Sequence, residues 1–264
     1  MLHMVEINES PLLSSAETPA ARILNGNGPA PALPVCEHDS RFIPAALNGL
    51  GLDTDAACSH AAWDIGALDL AQELMRALDA PLVFSQVSRL VYDCNRPPEA
   101  SDAIPPKSEI YPVPGNATVT ESQKAQRVRD VYEPFCALLS QTLDTRPAPP
   151  VVITIHSFTP VYKGQTREVE LGILHDSDDR AAQILLREAQ GSGLNSALNE
   201  PYSATDGVTH TLREHAIPRG LANVMIEVRN DLIGTPAGVS RLAGLLAPML
   251  QNMINELDPR EARS

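Results

Sequence analysis

Apolar positions along the chain recur with two different periods. Short dense runs read as strands: LPVC (33–36), LVF (82–84), RLVYD (89–93), VVITIH (151–156), VELGIL (169–174) and NVMIEV (223–228). VVITIH is the clearest buried strand, five β-branched residues followed by a histidine. The second period is helical. Residues 64–79 place Ile65, Leu68, Met75 and Leu78 on one face, and Pro81 ends that helix. Further helices are expected over 121–143, bent at Pro134, over 179–190, closed by Gly191, and over 239–257. The last points Val239, Leu242, Leu246, Met249, Met253 and Leu257 inward.

The intervening stretches read differently. Residues 97–118 carry Pro97, Pro98, Pro105, Pro106, Pro112 and Pro114, which excludes a helix or a central strand and predicts a long ordered loop or lid. PAPP (147–150) breaks the chain, and 192–220 is loop-like. Residues 1–30 read as an irregular N-terminal arm, and 31–264 as a single domain. Strands alternating with helices predict an α/β fold, a mostly parallel sheet with helices on both faces.

Composition narrows the function. The 264 residues hold 20 Lys+Arg against 33 Asp+Glu, a net charge of −13. That argues against a nucleic-acid backbone or an anionic membrane as partner, yet leaves room for a small anionic substrate held by local arginines. Aromatic residues are only 4%, too few for a base-stacking surface. No apolar run is long enough to span a bilayer, and MLHMVEINES lacks the pattern of a signal peptide. Cys36, Cys58, Cys94 and Cys136 form no CxxC pair, so neither a thiolate zinc site nor a disulfide framework is expected, and a cytoplasmic setting fits.

The chemistry-bearing residues cluster after the apolar runs: His38 after LPVC, Asn95-Arg96 after LVYDC, His156 ending VVITIH, and Glu227 inside VMIEV. Open α/β sheets bind ligands at the carboxyl ends of their strands. Two imidazoles, a carboxylate and an arginine at one sheet edge form a hydrolase inventory: metal ligands, a general base, and a cation for substrate. Taken singly, each has a plainer role. A histidine ending a strand is more often structural, Glu227 could pair with Arg229, and Asn95-Arg96 could tie down a loop.

Jointly, these segments resemble the N-formylglutamate amidohydrolase family. SRLVYDCNRP (88–97), IHSFTP (155–160), LGILHDSDDRAA (171–182), NEPYS (199–203) and IEVRNDLI (226–233) carry the resemblance, with CEHDSRFIP (36–44) and HAAWDIGA (60–67) as N-terminal motifs. It spans roughly residues 33 to 235. The family is distantly similar to zinc carboxypeptidases and related deacylases. The resemblance therefore implies a three-layer α/β/α hydrolase with a mostly parallel mixed sheet, phosphorylase/hydrolase-like and zinc carboxypeptidase-like. It also implies one divalent metal, zinc, and hydrolysis of the amide of a small anionic N-acyl amino acid, such as N-formyl-L-glutamate giving formate and glutamate.

Carried onto this chain, the resemblance assigns His38 and His156 as metal ligands, Glu227 as general base, and Asn95-Arg96 to the substrate. Arg89 or Arg167 would serve a second carboxylate, with Tyr202 and His210 as further substrate contacts; His215 reads as a surface residue. The wider zinc group carries a metal-binding Glu three residues after its first His, where this chain has Arg41. The third ligand must come from elsewhere. His60 and Asp64, spaced i, i+4, would share one helical face and are preferred to Glu37, whose neighbour His38 points to the opposite side of an extended chain. A metallo-carboxypeptidase or amidase acting on a peptide, and a non-catalytic binding protein of the same fold, are the competing readings.

Overall fold

A computed structural model describes residues 10–258. Its strands are β1 (Ala21–Leu24), β2 (Ala32–Cys36), β3 (Leu82–Ser85), β4 (Lys107–Ser108), β5 (Tyr111–Pro112), β6 (Val151–Phe158), β7 (Val161–Tyr162), β8 (Gln165–Thr166), β9 (Leu171–Leu174), β10 (Ser196–Leu198) and β11 (Asn223–Arg229). The helices are α1 (Thr54–Cys58), α2 (Ala67–Leu78), α3 (Glu121–Arg127), α4 (Glu133–Asp144), α5 (Arg180–Ala189) and α6 (Pro236–Leu257). Seven strands form one sheet in the order β1-β3-β2-β6-β11-β9-β10. The pairs β3-β2, β2-β6, β6-β11 and β9-β10 are parallel, whereas β1-β3 and β11-β9 are antiparallel.

Period-2 alternation sorts the sheet residues into two cores. Ile153 and Ile155 of β6, Val224, Ile226 and Val228 of β11, and Leu171 and Ile173 of β9 face α2, α5 and α6. Leu33 and Val35 of β2, Val83 of β3, Val152 of β6 and Met225 of β11 face Phe135, Leu139 and Leu143 of α4. The result is the expected α/β/α sandwich with a mostly parallel mixed sheet. The consequence for chemistry is a matter of parity: His156 and Glu227 sit on the α4 side, at the carboxyl ends of the two central strands.

Several local expectations change. RLVYD is a turn rather than a strand, because Ser88 Oγ donates to the Ala62 carbonyl and the Val91 N–H closes back on the Ser88 carbonyl. Part of the predicted irregular arm, Ala21–Leu24, forms the antiparallel edge strand β1; residues 1–9 lie outside the described residues. At Pro134, the expected site of a bend, α3 runs on through a π-helical turn over 128–132 into α4; the turn closes with the Glu133 N–H on the Val128 carbonyl, and Pro134, which has no N–H to donate, follows it directly. In α2 the buried face is centred on Leu70 and Leu74, with Ile65 and Leu68 only half-buried. The loop-like 192–220 stretch contains β10 and a π-helical turn over 212–216.

The proline-rich segment is an ordered loop that carries the small hairpin β4-β5. A second hairpin, β7-β8, follows β6 directly. Both rise over the carboxyl end of the sheet. Among the described residues, no helix is long and apolar enough to cross a membrane.

Candidate active site

Register determines which side chains meet. In the parallel β6-β11 pair, Glu227 is the partner of His156. On its other side β11 pairs antiparallel with β9, where Gly172 stands opposite Glu227. A Cβ on Gly172 would come within 2.2 Å of the Glu200 carbonyl oxygen and 3.1 Å of Glu227 Cβ, so only glycine leaves the carboxylate room. The parallel β2-β6 pair matches Val35 with Thr154, and two residues further on Glu37 comes level with His156.

His38, Asp64 and His156 converge. Asp64 Oδ2 lies 2.9 Å from His156 Nδ1 and 3.4 Å from His38 Nδ1. All three residues are buried, and their ligand atoms lie within 4.8 Å of one another. His38 Nδ1 has no hydrogen-bond partner. Two imidazoles and a carboxylate turned toward one point, with His38 Nδ1 unpartnered and His156 Nδ1 resting on Asp64 Oδ2, fit a divalent cation with an open position left for water or substrate. The remaining nitrogens face carboxylates. His38 Nε2 donates to Asp93 Oδ1 at 2.6 Å, and His156 Nε2 lies 3.1 Å from Glu37 Oε2.

Asp64, one of the two preferred third ligands, is therefore in the cluster, and His60 is not. Residues 59–66 are turns, so no helix places the pair on one face. His60 Nε2 is instead bound to Glu109 Oε2 at 2.6 Å. Arg41 points away, its Nη1 donating to Cys58 Sγ. Asp64 joins the cluster because its backbone N–H donates to the His38 carbonyl at 2.7 Å, holding the two side by side.

Electrostatics follow from burial and these contacts. Burial alone would raise the pKa values of Asp64 and Asp93, but the neighbouring His38 and Arg89 outweigh it and hold both far below the usual carboxylate range. Burial would lower His156, but Glu37 and Asp64 outweigh it and push its pKa well above the ordinary imidazole value. Glu227 behaves differently. Desolvation dominates, and its carboxyl is pushed up to about 7. The alternative of an Arg229–Glu227 salt bridge does not occur, since Arg229 pairs with Asp231 and Glu170. A buried carboxylate close to neutrality beside a ligand cluster is suited to exchanging a proton near pH 7.

The arginines divide by partner. Arg89 bridges two acids, Nη1 to Asp64 Oδ1 at 3.2 Å and Nη2 to Asp93 Oδ2 at 2.9 Å. Arg96 donates to Asp102, to its neighbour Asn95's carbonyl and to the Gly207 carbonyl. Asn95 donates its side-chain amide to the Val208 carbonyl and accepts from Thr211 N–H. Asn95-Arg96 thus staples the 199–216 segment over the site. Arg167 has no carboxylate partner among the described residues. Its guanidinium lies over the rings of Phe158 (5.4 Å), Tyr162 (4.6 Å) and Tyr202 (4.7 Å), and its Nη1 donates to the Thr159 carbonyl at 3.5 Å.

The cluster opens into a cavity of about 200 Å³, lined by His38, Asp64, His156, Glu227, Arg89, Asn95, Arg96, Tyr162 and Tyr202 among others. Glu109, at the turn of the β4-β5 hairpin, closes one wall; its Oε1 accepts from Lys163 N–H in the β7-β8 turn while Oε2 holds His60. His210 lies outside this cavity, stacked on Tyr132 and bonded to its hydroxyl at 2.8 Å. His215 is buried rather than on the surface, 3.2 Å from Ser140 Oγ, and burial pushes its pKa down to about 4.

Asp93, Glu109 and the Phe158–Tyr162 pair carry no assignment from the sequence pattern. Asp93 had a signal available, since it stands two residues before Asn95 within the quoted DCNR segment.

Comparison with known proteins decides the family. The N-formylglutamate amidohydrolase family model matches residues 30–234. The chain belongs to the N-formylglutamate amidohydrolase family. As a member of it, the protein is an amide-bond hydrolase. A gene product of Agrobacterium tumefaciens of known structure is 47% identical, with 93% of this chain and 99% of that one covered and a TM-score of 0.91. An N-formylglutamate amidohydrolase from Ralstonia eutropha is 16% identical over 90% of this chain and 98% of its own, with a TM-score of 0.62, and so shares the fold. No curated protein matches the sequence.

Proposed function

We propose that the protein is a metal-dependent amidohydrolase that cleaves the amide of a small N-acyl amino acid, with N-formyl-L-glutamate the first candidate. The observation that carries this reading is Glu227, a buried carboxylate with no ion pair among the described residues, in register with His156 and beside the His38–Asp64–His156 cluster. A divalent metal on His38, Asp64 and His156, zinc by the donor set, would polarise the acyl carbonyl and acidify the attacking water. Glu227 takes the proton from water as general base and returns it to the leaving amine nitrogen as general acid. Its pKa near 7 lets one carboxyl do both.

Arg167 does not itself line the cavity but packs on Phe158, Tyr162 and Tyr202, which do, and would meet the substrate carboxylate at its rim. Three aromatic rings fix its plane and leave its donor edge without an acid, which pre-organises a bidentate pair. Arg89 and Arg96, expected to serve the substrate, do line the cavity, where they also hold Asp64, Asp93, Asp102 and backbone carbonyls in place. Tyr202 lines the cavity and stacks on Arg167, coupling the 199–216 segment to the anchor.

A cavity of about 200 Å³ under two hairpins suits a single acylated amino acid, being smaller than the roughly 300–1,000 Å³ common for drug-sized ligands. The peptide-cleaving alternative would need the hairpins to part. The test is formate release from N-formyl-L-glutamate, with added zinc and with a chelator, by the native chain and Glu227→Gln. Release that the chelator and the substitution both abolish is expected. Release unaffected by chelator overturns the metal, and no release from any N-formyl amino acid overturns the reaction.

A further inference from the structure

Glu37 is a buried carboxylate for which the reaction above has no use. It is 1% exposed, and neither its two oxygens nor the facing His156 Nε2 makes a well-aligned hydrogen bond. A charge so placed is costly unless something requires it. Its neighbours are His156 Nε2, 3.1 Å from Oε2, and the region of Thr211 Oγ1, itself buried and without a partner. Thr211 belongs to the segment that Asn95 staples over the site.

The two nitrogens of His156 face different groups. Nδ1 points to Asp64 Oδ2, towards which His38 Nδ1 also turns. Nε2 points to Glu37. A nitrogen that ligates a metal must present its lone pair, so in a neutral imidazole the proton then resides on the other nitrogen. With Nδ1 presented to the cluster, that proton stands on Nε2, facing an acceptor-only carboxylate at 3.1 Å. Asp93 stands in the equivalent place behind His38, at 2.6 Å from its Nε2. Glu37 lies behind His156 because the β2-β6 register brings residue 37 level with residue 156. His38, the next residue, reaches the cluster from the other direction.

We infer that Glu37 is not a metal ligand but a positioning residue, which accepts the Nε2–H of His156, fixes its tautomer and aims Nδ1 at the metal. The inference rests on the metal site of the proposed function and not on any particular substrate. Outer carboxylates of this kind set ligand orientation and basicity, and their loss weakens metal affinity by about 10–100-fold.

The probe is zinc itself, titrated into the chelator-stripped native chain against a chromophoric chelator. Glu37→Gln keeps the side-chain size and is expected to weaken zinc binding about 10–100-fold, with its far-ultraviolet circular dichroism unchanged. His156→Ala, which removes a ligand, is expected to weaken it further. Nitrogen-15 correlation spectra of the zinc-loaded native chain are expected to show His156 protonated on Nε2 and coordinated through Nδ1. This second measurement stands even if Glu37→Gln does not fold. Zinc affinity of Glu37→Gln within threefold of native, or coordination of His156 through Nε2, overturns the inference. Failure of formate release with zinc binding intact counts against the substrate alone, whereas a native chain that binds no zinc overturns both readings.

Discussion

Replacing Arg167 by Met removes the donor edge while keeping an unbranched apolar stem among Phe158, Tyr162 and Tyr202. In the native chain the guanidinium is 4.6 Å from the Tyr162 ring and 4.7 Å from that of Tyr202, and it lacks an acid partner. A bound carboxylate would form two charge-assisted hydrogen bonds with it. At about 1.5–3 kcal/mol each, their loss amounts to roughly 3–6 kcal/mol. With tenfold per 1.4 kcal/mol, that corresponds to about 10²–10⁴ in affinity. The carboxylate is remote from the scissile amide, so the interaction is equal in ground and transition states. The loss should appear in KM with kcat little changed. Loss of the three cation–π contacts, about 0.5–1 kcal/mol each, should lower folding stability by about 1.5–3 kcal/mol. Arg167→Lys, a point charge without the fork, should fall between native and Met. Steady-state formate release over a substrate range separates the two constants. A KM within threefold of native, with the whole loss in kcat, would refute the role of Arg167 as anchor.

Four further outcomes are expected. Without a cation the Glu227 carboxyl is pushed up to about 7, and a bound divalent cation would draw it down from there, so kcat/KM should rise with pH to a plateau with an acid limb no higher than the neutral range; a profile with no acid limb would contradict the general-base role. The same raised value means that folding favours the protonated form, so stability held below the ordinary carboxylate pKa is lost as pH rises through about 7; in metal-free protein Glu227→Gln should be the more stable variant at pH 8 by thermal melting, though inactive. Since Glu37 and Asp64 raise His156, zinc has to displace a proton from it, so affinity should fall as pH is lowered and calorimetry in buffers of different ionisation enthalpy should show proton release; identical heats across buffers would exclude it. Asn95→Ala cuts the bonds to Val208 and Thr211 and should release the 199–216 segment by about 1–2 kcal/mol, read as faster limited proteolysis there with zinc affinity retained.

The α/β architecture was legible because burial imposes periodicity. A run such as VVITIH has to be covered on both faces, and the helical stripes of α2, α5 and α6 have no other way to cover themselves. The ligand histidines and Glu227 were legible because a charged or ligating residue at the end of an apolar strand is rare and lies where sheets bind ligands. RLVYD misled because an apolar run records burial and not conformation; a buried turn carries the same composition as a strand. His60 misled through a spacing that has meaning only if the segment is helical, and residues 59–66 are turns.

By itself, then, the sequence determined the layer order, the amide-hydrolase family and the residues able to hold a cation and a proton. Only the tertiary structure decided their division of labour. It selected Asp64 over His60, placed Glu37 behind His156 through the β2-β6 register, and tied Arg89 and Arg96 to acids and carbonyls while leaving Arg167 in its aromatic cage. The choice of Asp64 and the place of Glu37 depend on contacts between segments far apart in the chain, His38 to Asp64, Asp64 to His156 and Glu37 to His156, set by strand pairing and loop closure. A local pattern records which groups a residue can offer, and the fold determines which of them are already engaged.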